Sequence, residues 1–166
     1  MDIETVTADI LSWSERFVEQ PHPVLGGWPP CPFARQARLN NRVQVLLGTD
    51  PYFDLRLRSR WGMYNFDVIA YVYDPAEWPY ERFHVMIEAA QSEFLLPHDL
   101  IALEDHPDSV EDVNGVIMNQ GQYAIVFVQS LSKLNDAARQ LASKDFYHGW
   151  PDTYLTDLFN HRQDPR

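Results

Sequence analysis

The chain has 166 residues, 45% hydrophobic and 13% aromatic, enough for one packed domain and too apolar for a disordered segment. Its formal charge of −11 at pH 7 argues against bulk nucleic acid or an anionic membrane as a primary partner. A lone cysteine, Cys31, excludes an internal disulfide framework, and no apolar run is long enough to cross a bilayer. The opening MDIETVTADI lacks the basic and apolar regions of a secretory signal, so a single cytoplasmic domain over residues 1–166 is the expectation.

Ile3, Val6, Ile10, Trp13 and Phe17 fall on one helical stripe behind Asp2, which predicts an amphipathic helix over residues 3–20. Pro21-His22-Pro23 ends it. Pro32 is suited to open a short helix reaching Leu39. Residues 43–47 read as a strand and 66–73 as a second one. Between them Asp50-Pro51 reads as a turn, and Leu55-Arg56-Leu57-Arg58 alternates like an exposed strand extension. A helix follows Pro79 through Phe94, then a short strand over 100–103 and another over 123–128. Ser130 caps a helix carrying Leu131, Leu134, Ala138 and Leu141, and Pro151 opens the last one.

This order, β-β-α-β-β-α after the first helices, disfavours a doubly wound sheet. It predicts an α+β fold with a four-stranded antiparallel or mixed sheet and helices on one face. If the first strand pairs with the second, the topology is a circular permutation of the ferredoxin-like split β-α-β.

Two segments carry candidate chemistry. Cys31 precedes a predicted helix start, where unpaired N–H groups and the helix dipole would stabilise a thiolate; burial in an apolar plug is the competing reading. Arg35 and Arg38 follow on that helix, and six of the eleven arginines lie between residues 35 and 60, a patch suited to an anion. The second segment packs Glu104, Asp105, His106, Asp108, Glu111 and Asp112 into nine residues, followed by Asn114. Carboxylates beside His106 would fix its tautomer for acid/base work, or the loop is simply a solvated acidic turn. His106-Pro107-Asp108 also matches two ligands of a facial iron triad completed by His148 or His161, although the chain has too few strands for the barrel that usually holds one. Glu81, His84 and Glu88 share a helical face and read as solvated.

Cys31-Pro32-Phe33-Ala34, His106-Pro107-Asp108, Glu111-Asp112-Val113 and Asn114 or Asn119 occur in an order that resembles an uncharacterised bacterial family. That family has a Cys-Pro-Phe-Ala segment and a later His-Pro-Asp segment. Trp28-Pro29-Pro30 departs from its apolar lead-in. The resemblance supplies no activity, but it implies that the cysteine and histidine segments form one module facing one pocket.

The leading expectation is therefore a small cytoplasmic enzyme acting on a small anionic metabolite. Cys31, His106 and Asp108 would be catalytic, and Arg35, Arg38, Asp112 and Asn114 would bind substrate. The alternatives are an acidic binding or accessory protein that docks a basic protein partner, and a non-haem metalloenzyme using His106 and Asp108. The residues assign no metal ligand set and name no cofactor.

Overall fold

The computed structural model describes residues 1–162. Asp2 caps the first helix, α1 (Ile3–Trp13), by accepting the Thr5 N–H, and a π-helical turn, Ser14–Val18, prolongs it. Then follow α2 (Ala34–Leu39), β1 (Val43–Leu47), α3 (Pro51–Trp61), β2 (Val68–Tyr73) and α4 (Tyr80–Ala90). The chain continues with β3 (Leu100–Asp105), a two-stranded hairpin of β4 (Asp112–Val113) and β5 (Val116–Ile117), β6 (Ala124–Ser130), α5 (Leu131–Ala142) and α6 (Asp152–His161).

The α+β class and the four-stranded mixed sheet are as expected. The strands lie in the order β1-β2-β6-β3, which is the spatial order of the permuted split β-α-β. The split unit is β2-α4-β3, with β6 inserted antiparallel to both. One edge departs from that topology: β1 runs parallel to β2, because a helix rather than a turn joins them.

That helix is α3, where an exposed strand extension was expected. Asp50 is its N-cap, accepting the Phe53 N–H, and Pro51 occupies the first turn. The misreading has a physical cause. Pro51, Leu55, Arg58 and Ser59 form the buried stripe, so polar side chains occupy two inward positions and break the apolar 3.6-residue period. Arg58 is buried because it has partners: its Nε donates to the Tyr71 hydroxyl at 3.0 Å and its Nη1 to the Gly62 carbonyl at 3.1 Å.

Helices cover both faces of the sheet, not one. Ile69, Tyr71, Tyr73, Val126 and Val128 pack in one cluster with Phe83 and Ile87 of α4 and Leu55 of α3. Ala70, Val72 and Ile125, whose side chains point the opposite way, pack under Val6 and Ile10 of α1. A third cluster joins Ala138 and Leu141 of α5 to Phe146, Trp150, Leu155 and Phe159, with Val113 of the small hairpin. That hairpin turns at Asn114-Gly115, whose φ angles of 55° and 84° are those of a type I′ turn. Among the described residues, no helix is long and apolar enough to cross a membrane.

Candidate functional site

The expected site residues do not converge. The His106 ring is 1% exposed and packs against Tyr80 and Phe83. Its Nε2–H donates to the Trp78 carbonyl at 3.0 Å, and its Nδ1 accepts the Asp108 N–H at 3.1 Å. Both nitrogens are thereby committed to backbone, in one neutral tautomer, and neither is available to a substrate or a metal. The Asp108 carboxylate is largely exposed, 3.9 Å from Nδ1. Asp112 accepts the Gly115 N–H, and Asn114 donates to the Gly149 carbonyl, so both serve the hairpin and its docking. No group of three or more metal-ligating side chains is assembled among the described residues.

The arginine patch is likewise dispersed. Arg38 binds Glu19 through two bonds of 2.8 and 2.9 Å and approaches Glu15 at 3.4 Å. The Arg38 guanidinium holds the Glu19 carboxyl below its ordinary range. Arg42 pairs with Asp67, Arg58 is internal, and Arg35 is exposed on α2. Cys31 lies before α2, and the N–H groups of Phe33 and Ala34 favour its thiolate, but burial outweighs them and pushes the thiol pKa up. That direction runs against the thiolate expected from the sequence, and the six-residue helix α2 offers only a short dipole against the desolvation.

A different constellation lies along the free edge of β3. Gln91 Oε1 accepts the Ala102 N–H at 2.9 Å, and His161 at the end of α6 meets the Ala102 carbonyl with Nε2 at 3.2 Å. These side chains close the edge as a neighbouring strand would. Beside them is a cavity of about 700 Å³, which Cys31 also lines. Its carboxylates include Glu104, Asp105 and Glu111. Asp105 accepts from Asn119 Nδ2 at 3.0 Å and the Gln120 N–H at 2.8 Å, yet burial still raises its carboxyl pKa. Burial and the neighbouring charges of Asp105 and Glu104 raise that of Glu111. His84 of α4 donates through Nδ1 to Glu104 Oε1 at 2.7 Å, which leaves Nε2 as the ring's acceptor.

The cavity also has unpaired donors. Arg162 and Trp150 are 8% and 7% exposed, and neither Arg162 Nε nor Trp150 Nε1 has a hydrogen-bond partner among the described residues. The same is true of one acceptor, Glu104 Oε2. Tyr154 packs beside Trp150 and reaches Glu111. Its hydroxyl lies 3.4 Å from Glu111 Oε2, and both burial and that carboxylate raise its pKa, while the Arg162 charge opposes them. Arg162 is itself lowered by burial, opposed by its bond to Tyr147. Buried polar atoms are nearly always paired, so three unpaired ones around one cavity mark a place where a polar molecule fits.

The sequence singled out Glu104, Asp105, Glu111 and His161 but gave them other roles. His84 was assigned to a solvated face, Trp150 to a lid or a Gly-Trp-Pro stop before the last helix, and Arg162 to nothing. Cys31, Asp105, Glu111 and Asn119 line the one cavity, and no residue of His106-Pro107-Asp108 does. No family model, no curated protein and no solved structure matches this chain.

Proposed function

We propose that the protein binds a small organic molecule bearing both an anionic and a cationic group in the cavity beside β3. The observation that carries this reading is the polarity of the unpaired buried atoms. Donors on Arg162 and Trp150 and an acceptor on Glu104 line one cavity without partners among the described residues, and Glu111 there is raised by burial and by the charges of Asp105 and Glu104. An anionic group satisfies the donors without displacing an ion pair among the described residues. A cationic group on the ligand relieves the repulsion that Asp105 and Glu104 exert on Glu111. The small anionic ligand expected from the sequence becomes one half of this molecule, with Arg162 in the part given to Arg35 and Arg38. A cavity of about 700 Å³ is within the range that small ligands occupy.

Calorimetric titration with zwitterions of increasing charge separation, from glycine to 6-aminohexanoate, tests the proposal against acetate and methylamine as single-charge controls. Zwitterions bind and the controls do not. Trp150→Phe, which keeps the ring and loses the N–H, and Arg162→Gln each weaken binding about tenfold, the worth of one buried hydrogen bond of this kind. Zwitterion binding indifferent to both substitutions, or no binding at millimolar concentration, defeats the proposal.

One observation favours a second reading, an enzyme acting on that ligand: the Glu104 carboxylate orients His84 as it would a general base. Under that reading His84→Gln abolishes turnover of a bound zwitterion and leaves its Kd unchanged.

A further inference from the structure

The face of the sheet beneath α1 and α5 is incompletely covered. Val126 and Val128 are fully buried on the other face, whereas Phe127 between them and Leu103 beside it on β3 are only half-buried. Above these two residues lies a second, smaller chamber of about 430 Å³. Its walls include Ile10, Val18, Ala34, Val43, Phe66 and Val68, and its polar side chains, among them Lys133 and Asp67, are few. Lys133 is mostly exposed and 3.9 Å from Asp67.

This chamber adjoins the polar cavity. Trp13, Cys31, Phe33, Leu103, Phe127 and Leu134 line both, so a charged cavity and a largely apolar one share a wall. Desolvating half-exposed Phe127 and Leu103 is favourable in proportion to the apolar area a ligand covers.

We propose that the apolar chamber receives an apolar substituent of the ligand whose charged groups occupy the neighbouring cavity. The ligand class is then a zwitterion bearing an aromatic or branched aliphatic group. The inference rests on the reading of the charged cavity given above. The cation and the anion settle the head of the molecule, and the chamber selects its tail. Burying a side chain of leucine or phenylalanine size strengthens binding about tenfold to a hundredfold over a head group alone.

The test is a calorimetric series on the whole protein with glycine, leucine, phenylalanine and tryptophan, together with indole, which has a tail and no charged head. The expected result is affinity rising at least tenfold from glycine to the larger side chains, with indole far weaker than tryptophan. Ala34→Phe, at a half-buried position lining only the apolar chamber, removes the gain and leaves glycine binding unchanged; its melting curve verifies folding. The ligand series on the unsubstituted chain stands even if that variant does not fold. Equal affinity across the four zwitterions overturns the chamber and spares the charged cavity. Indole binding as tightly as tryptophan, or no binding by any zwitterion, overturns the charged cavity and this inference with it.

Discussion

His106 separates a structural from a catalytic account of the acidic loop. Replacing it by Phe keeps a ring of similar size between Tyr80 and Phe83 but removes both hydrogen bonds, leaving the Trp78 carbonyl unpaired in the interior and the part-buried Asp108 N–H without its acceptor. At about 1 kcal/mol or slightly more for each bond left half-made, His106→Phe costs about 2–3 kcal/mol. His106→Ala adds a cavity where a 1%-exposed ring stood, for a total of about 3–5 kcal/mol. For a domain of this length each kcal/mol moves Tm by about 2–4 °C, so the expected falls are about 4–12 °C and about 6–20 °C respectively. Scanning calorimetry, with urea melts to verify an unchanged m-value, measures both. An alanine variant that melts with the parent protein refutes the reasoning and returns the ring to catalysis.

Three other substitutions probe the scaffold and the cavity. Gly48→Ala places a Cβ about 2.0 Å from Cε1 of Tyr73, a buried ring with no room to retreat, and costs about 3 kcal/mol by chemical denaturation; a cost below about 1 kcal/mol contradicts the packing at this position. Arg38→Ala strands the Glu19 carboxylate and lowers Tm at pH 7. Because the folded-state pKa of Glu19 is depressed, the stabilisation exists above its ordinary 4.5 and fades as pH falls below that value, so the parent and variant melting points converge in acid. A constant gap down to pH 3 contradicts the pairing. Glu111→Gln acts in the opposite direction. The folded-state pKa of Glu111 is raised, so its charge is a burden above that pKa, relieved as pH falls toward the ordinary 4.5. The variant melts higher at pH 7 and gains less on mild acidification than its parent, and an unchanged pH profile argues against repulsion from Asp105 and Glu104.

The sequence by itself determined the elements whose stabilisation is local. The α1 stripe behind the Asp2 cap, the Ser130 cap of α5 and the apolar strands β2 and β6 are legible because periodicity and capping act within a few residues. Two further signals were present and misread. Asp50-Pro51 is a cap followed by a first-turn proline, and Asn114-Gly115 is a hairpin turn. α3 stayed hidden because Arg58 takes an inward position that the Gly62 carbonyl and Tyr71, thirteen residues on, satisfy.

The site was decided almost wholly by tertiary structure. Glu104 lies in β3 and Glu111 in the loop that follows it, Trp150 and Arg162 lie far beyond, and Cys31 precedes them all. They share a cavity because His161 and Gln91 bind the β3 edge and carry the end of α6 to it. An unpaired buried donor leaves no trace in composition or spacing, since what defines it is the absence of a neighbour in the folded chain. Conversely, the charges that stood out along the sequence, Arg38, Asp112 and the ring of His106, found their partners within the protein once it folded.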